Sequence, residues 1–131
     1  MWTTESRRKS LVGYEKAIGS FLMSHTEKKG INCKSIAVLS NHIHCLVRLN
    51  STQSISDLVQ IMKGSSSMWM NKYGRLQYKF KWEDEYFAFS LGYSQVEPFE
   101  SYLAQQAHYH QSRTVAQEIE EINKKYQLKY K

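Results

Sequence analysis

The chain predicts an α+β sandwich in the order βαββαβ, an antiparallel sheet with helices packed mainly on one face. Three features predict it. Stretches with apolar residues at helical spacing alternate with short runs of Ile, Val and Leu. Two of those runs follow one another between the first two helical stretches, broken only near Ser40-Asn41. A third stretch, Phe80 to Leu91, alternates aromatic and polar residues after the second helix.

A short first strand is read at Trp2-Thr3-Thr4. From Arg8 to Lys29 the residues Leu11, Tyr14, Ile18, Phe21, Leu22 and His25 recur at helical spacing, and Gly30 follows as a stop. The run Ile36 to Leu49 supplies two strands. A second helix runs from Ile55 to about Asn71, with Ile55, Leu58, Val59, Met62 and Met68 on its apolar side. Ser54 with Asp57 forms its capping signal. Gly64-Ser65-Ser66-Ser67 are weak helix formers, which predicts a bend or loosening there. Phe80 to Leu91 reads as a strand pair or one bent strand. Ser94 to Pro98 opens a third helix, which continues through Phe99, Tyr102, Leu103 and Gln106 toward His110. A helical tail occupies 114–131, its charged helix running from about Thr114 to Tyr126.

With 131 residues and 41% hydrophobic content, the chain is expected to be a single domain, 1–131, with a core that needs no staples. No run approaches the roughly 18 apolar residues of a membrane span, and no signal peptide is expected. Cys33 and Cys45 are too few and too far apart for a disulfide framework or a CxxC site, so a reduced, cytoplasmic setting is expected. The formal charge of +6 suits a polyanionic partner. That charge is segregated: Lys63, Lys72, Arg75, Lys79 and Lys81 lie in a stretch without acids, while Glu83 to Ser112 holds Glu83, Asp84, Glu85, Glu97 and Glu100 and no Lys or Arg.

His42-Ile43-His44 is the feature with the most chemical content. On a strand, residues i and i+2 share a face, so the two imidazoles point together while Ile43 points into the core. Two neutral imidazoles on one face can bind a divalent metal; the plainer alternative is a pair of polar residues on a solvated face. Cys45 faces the other way, against a Cys/His zinc cluster. Tyr102 and Gln106 are four apart and share a helix face. A phenol is a weak nucleophile near neutral pH, and a cation on the phosphate makes its attack feasible. The Gln106 oxygen with two imidazoles suits Mg²⁺ or Mn²⁺ handling a phosphate better than a closed zinc site. Against this stands the reading of Tyr102 as a packing residue, one of nine tyrosines. The basic stretch is interleaved with Trp69, Tyr73, Tyr78, Phe80 and Trp82, a composition suited to gripping single-stranded nucleic acid, with about half of the rings expected in the core.

Four segments together resemble the single-tyrosine transposases of bacterial insertion sequences, the small HUH-endonuclease group that includes REP-associated relatives. They are Trp2-Thr3-Thr4-Glu5, Asn41 to Val47, Lys63-Gly64-Ser65-Ser66-Ser67 with Trp69 and Asn71, and Trp82 to Gln106. The resemblance implies a ferredoxin-like fold, His42, His44 and Gln106 as metal ligands, and Tyr102 as nucleophile. It implies nicking and rejoining of single-stranded DNA through a 5′-phosphotyrosine link and a free 3′-hydroxyl, recognition of hairpin ends, and a homodimer. Ser65 and Ser66 join Lys63, Trp69, Lys72, Arg75, Lys79 and Lys81 as the implied DNA-binding set. The sequence departs from the family in two places. Only Met1 precedes Trp2, so the first strand is shortened, and the sheet edge it leaves invites pairing. After Gln106, where the family often carries two histidines, stand Tyr109 and His110, with His108 one place early. His110, four beyond Gln106, is an accessory candidate for phosphate or metal. The alternative function is a catalytically degenerate relative that binds single-stranded or hairpin DNA without cutting. An RNA-binding βαββαβ domain is disfavoured by the absence of the aromatic strand signature of such domains.

Overall fold

The computed structural model describes residues 1–126, arranged as two compact units, 1–88 and 89 onward. The part of the expected tail beyond Tyr126 lies outside the described residues.

The first unit is an antiparallel three-stranded sheet backed by two helices. Its elements are β1 (Trp2–Thr3), α1 (Glu15–Lys28), β2 (Asn32–Val38), β3 (His42–Arg48) and α2 (Ile55–Tyr73), and β3 lies between β1 and β2. The expected α+β fold and the first five elements of the expected order, βαββα, are therefore present. The register pairs Trp2 with Ile43 and Thr3 with His42 on one side of β3, and Ala37 with His44 and Val38 with Ile43 on the other.

Helix α1 begins at Glu15 rather than Arg8. Gly13 sits at φ +85°, a left-handed backbone that a right-handed helix cannot contain, and Leu11 instead donates its amide to Ser40. Its end is as expected: Gly30 takes φ +73° and the Ile31 amide reaches back to the Thr26 carbonyl at 2.8 Å. Helix α2 starts where its cap predicts, the Asp57 amide donating to Ser54 Oγ at 3.1 Å.

No bend occurs at Gly64-Ser65-Ser66-Ser67; α2 is continuous through Tyr73. The Ser66 hydroxyl bonds the Met62 carbonyl at 2.6 Å and accepts the Trp82 indole N–H at 2.9 Å. Small residues at this point of α2 make room for an indole, and that use outweighs their poor helix propensity.

The strand expected over Phe80 to Leu91 does not form a regular ladder. Its first half runs antiparallel beside β1, with Glu5 N–H to Lys81 O at 3.0 Å, Glu83 N–H to Thr3 O at 2.9 Å and Phe87 N–H to Met1 O at 2.8 Å. The step from Glu83 to Phe87 is matched only by the step from Thr3 to Met1, so residues bulge out and only the bridge between Thr4 and Trp82 remains regular. The segment still occupies the outer edge beside β1, where a fourth strand would lie.

The core holds Trp2, Leu11, Ile18, Leu22, Ile43, Met62, Met70, Phe80 and Trp82, with Trp82 edge-on to both Trp2 and Phe80. Ile43 is fully enclosed. Ile43→Ala should therefore lower stability by about 2–5 kcal/mol in urea titrations, whereas Met68→Ala, at a side chain 71% exposed, should change it by less than about 0.5 kcal/mol.

The second unit is helical: α3 (Tyr93–Ala104), α4 (Gln106–Tyr109) and α5 (Val115–Tyr126). Helix α3 starts at Tyr93, one residue before the expected Ser94, and the amide of its cap residue Gly92 donates to Gln95 Oε1 at 2.8 Å. The single helix expected from Ser94 to His110 is interrupted at Gln105. Thr114 caps α5 reciprocally: the Gln117 amide donates to its hydroxyl at 3.2 Å and its own amide donates to Gln117 Oε1 at 2.8 Å.

Candidate active site

Alternation along β3 places His42 and His44 on one face and Ile43 on the other, as the spacing predicts. Both imidazoles are buried, 1% and 2% exposed, with ring centroids 5.2 Å apart. They are not on a solvated face, and the plainer reading of the pair fails on that point. His42 Nδ1 lies 2.9 Å from Asn41 Oδ1. That contact fixes the orientation of the His42 ring on β3, as the hydrogen-bond partner of a metal-binding imidazole does. Cys45, next along the strand, faces the core, and burial raises its thiol pKa.

Within the second unit, Tyr102, Gln106 and His110 converge on one carboxylate. The Tyr102 hydroxyl and Gln106 Nε2 both donate to Glu118 Oε2, the latter at 2.9 Å. His110 Nε2 lies 3.0 Å from Glu118 Oε1 and 3.1 Å from Gln106 Oε1, while its Nδ1 faces the Arg113 carbonyl at 2.7 Å. Despite the interruption at Gln105, Tyr102 and Gln106 thus meet at one place, and His110 shares a face with Gln106 as expected. Burial raises the Tyr102 phenol pKa well above its usual range, and the hydrogen bond to Glu118 adds to the effect. Its ring packs against Phe99 and Tyr109 and lines a cavity of about 320 Å³ with Phe89, Pro98, Phe99, Glu118 and Ile122.

Glu118 was not among the residues singled out by sequence, yet it is 0% exposed. The signal was there: it interrupts the apolar stripe Val115, Ile119 and Ile122 of α5, all buried. A carboxylate on the inward face of an otherwise amphipathic helix has to be paired.

The basic segment divides. Lys72, Arg75, Lys79 and Lys81 are exposed, as are Tyr73 and Tyr78, while Phe80 and Trp82 are core, close to the expected half of the rings. Lys63 Nζ caps the carbonyls of Glu83 and Glu85. Trp69 packs against Tyr14, Phe21 and Tyr73. Ser66 is fully enclosed, its hydroxyl spent on Met62 and Trp82, which removes it from the DNA-binding set; Ser65 bonds the Met62 carbonyl at 3.2 Å.

Fold and site together define a class, an α+β sheet protein with a buried imidazole pair on its central strand and a tyrosine-bearing helical unit after it. The chain belongs to the IS200-like transposase family, whose model matches residues 1–106. A crystal structure of a candidate transposase from Deinococcus radiodurans R1 shares the fold, with a TM-score of 0.62 at 18% identity over 80% of this chain and 85% of that one. A comparison with curated proteins finds no match. The family match ends at Gln106, so Glu118 and all of α5 lie beyond it.

Proposed function

We propose that this transposase nicks and rejoins single-stranded DNA, Tyr102 attacking a phosphodiester to give a 5′-phosphotyrosine link and a free 3′-hydroxyl. The observation that carries the reading is the buried, same-face pair His42 and His44, with the His42 ring oriented by Asn41. That pair suits a divalent cation of the Mg²⁺ or Mn²⁺ kind, with the Gln106 oxygen as third ligand as the family resemblance implies. Such a cation, when bound, neutralises phosphate charge and orients the scissile bond. Tyr102 supplies the nucleophile, and the bond energy kept in its phosphate ester makes ATP unnecessary. In this role Gln106 would offer its Oε1 to the cation, and its Nε2 donates to Glu118.

The two units are read as one catalytic domain, working in a homodimer within the cytoplasm on DNA with hairpin ends. Among the described residues no helix is long and apolar enough to cross a membrane. Exposed Lys72, Arg75, Lys79 and Lys81 with Tyr73 and Tyr78 form the strand grip. Each phosphate contact adds roughly 0.7 to the slope of log affinity against log salt for a single strand. Lys72→Ala and Lys79→Ala should each reduce that slope by about this amount, while Lys63→Ala, at a residue occupied with backbone carbonyls, should act chiefly on stability.

The direct test is incubation of hairpin-ended single-stranded DNA with the protein, in Mg²⁺ or Mn²⁺ and in chelator, resolved on a denaturing gel. A protein-linked strand that needs the divalent ion supports the reading. Salt-sensitive binding without cleavage, indifferent to divalent ion, supports the non-cutting relative instead.

A further inference from the structure

The cavity beside Tyr102 lies wholly within the second unit: Pro98, Phe99 and Tyr102 line it from α3, Ile122 from α5 and Phe89 from the approach to α3. Phe89 and Phe99 meet edge to face at 5.9 Å, and both rings, like that of Tyr102, are only half-buried. Attack on phosphorus needs the phenol oxygen alone, so neither phenylalanine has a part in it. Half-buried rings around a cavity keep apolar faces that a flat partner can cover. At about 320 Å³ the space is at the small end of ligand sites, about 300–1,000 Å³, and holds one ring system. A polar group stands at its wall: Gln95 accepts the Gly92 amide at Oε1, and its Nε2 remains a donor.

We propose that this cavity seats the base of the nucleotide joined to Tyr102, the one immediately 3′ of the cut, an assignment that rests on the phosphotyrosine reading above. In a 5′-phosphotyrosine link the phosphorus bonds the Tyr102 oxygen and the 5′-oxygen of that nucleotide. Its base is then tethered one sugar away from a ring that lines the cavity. The nucleotide on the other side of the cut departs with its 3′-hydroxyl, and a different 3′-end takes its place in strand transfer. The tethered nucleotide stays through both steps, and a pocket on the nucleophile's own unit keeps hold of it. Aromatic faces stack on any unpaired base, and enzymes that act on nucleotides seat such bases between aromatic and apolar side chains. Gln95 Nε2 donates to an acceptor on the base edge. The cavity takes a single base and excludes a base pair, so the strand is unpaired at the cut.

Once the gel assay has mapped the scissile bond, strands carrying an abasic site just 3′ or just 5′ of it are compared with the unmodified strand. The 3′ abasic site should slow adduct formation by about 5–150-fold, the worth of one base–aromatic stack. In Phe99→Ala that penalty should shrink by at least about threefold, while the 5′ abasic site costs the same in both proteins. A purely structural role for Phe99 slows every strand alike and leaves the 3′ penalty as it was. An unchanged 3′ penalty, or a 5′ penalty that shrinks instead, overturns the assignment. Where Phe99→Ala unfolds, Phe99→Leu, which keeps apolar bulk without a flat face, carries the same comparison. With iodouracil as the 3′ base, irradiation of the adduct should join it to Phe89 or Phe99, identified by proteolysis and mass spectrometry; a link to a residue of the first unit contradicts the pocket. Phe99→Ala that weakens dimerisation in sedimentation and leaves the abasic penalty untouched makes the cavity a protein interface and overturns the assignment. Parent protein that forms no adduct overturns the phosphotyrosine reading itself, and this assignment with it; parent adduct indifferent to the 3′ abasic site overturns this assignment alone.

Discussion

Tyr102→Phe is expected to reduce the covalent protein–DNA species by at least about 10³-fold, to below detection on a denaturing gel. The substitution removes one oxygen and keeps the ring, so the contacts with Phe99 and Tyr109, at centroid distances of 5.6 and 5.9 Å, persist. Glu118 Oε2 retains Gln106 as a donor at 2.9 Å, which limits the stability cost to about 1 kcal/mol. Hairpin DNA binding should stay within about threefold of the parent, because the exposed cations assigned to it lie in the first unit, at Lys72 to Lys81. An adduct that survives the substitution removes Tyr102 from the reaction. Tyr109 is the neighbour to examine then, although its hydroxyl is engaged by Glu121 at 2.6 Å and its pKa is raised, burial being the largest cause.

The second large effect is expected at His42. Removing one imidazole of the pair leaves a single nitrogen donor on β3, so His42→Ala should weaken Mn²⁺ binding by more than about a hundredfold and slow divalent-dependent cleavage by about 10²–10⁴-fold. Isothermal titration with Mn²⁺ and the gel assay measure the two losses separately. DNA affinity in chelator should be unchanged, since His42 is 1% exposed and the basic segment is untouched. His108→Ala is the control: the side chain is exposed on α4, and its loss should alter neither quantity. Cleavage by His42→Ala at the parent rate would detach the histidine pair from the chemistry.

Much of this was legible in the sequence because the signals were local. Alternation over seven residues placed His42 and His44 together, and a Ser54–Asp57 cap and a terminal Gly30 marked helix ends. What could not be read depended on partners distant in sequence. The serines of α2 read as weak helix formers or, by resemblance, as DNA contacts until Trp82, 16 residues on, supplied the reason for Ser66. The closing strand failed as a ladder because the Glu83–Phe87 stretch carries more residues than the short β1 can pair. The helix bearing Tyr102 was predicted whole, yet it breaks at Gln105, and the two residues still meet because a carboxylate from α5 draws both. Glu118 was missed for a different reason. A helix rich in Glu and Lys reads as solvated by composition, and only the position of one acid on the apolar stripe reveals that it is buried.

The central claim meets its most direct test in proteolysis and mass spectrometry of the protein after reaction with hairpin-ended single-stranded DNA, with and without Mg²⁺ or Mn²⁺. The predicted result is one modified peptide, carrying a 5′-phosphate-linked nucleotide on Tyr102, formed only when the divalent ion is present. A nucleotide on another residue, or on Tyr102 in equal yield in chelator, would contradict it.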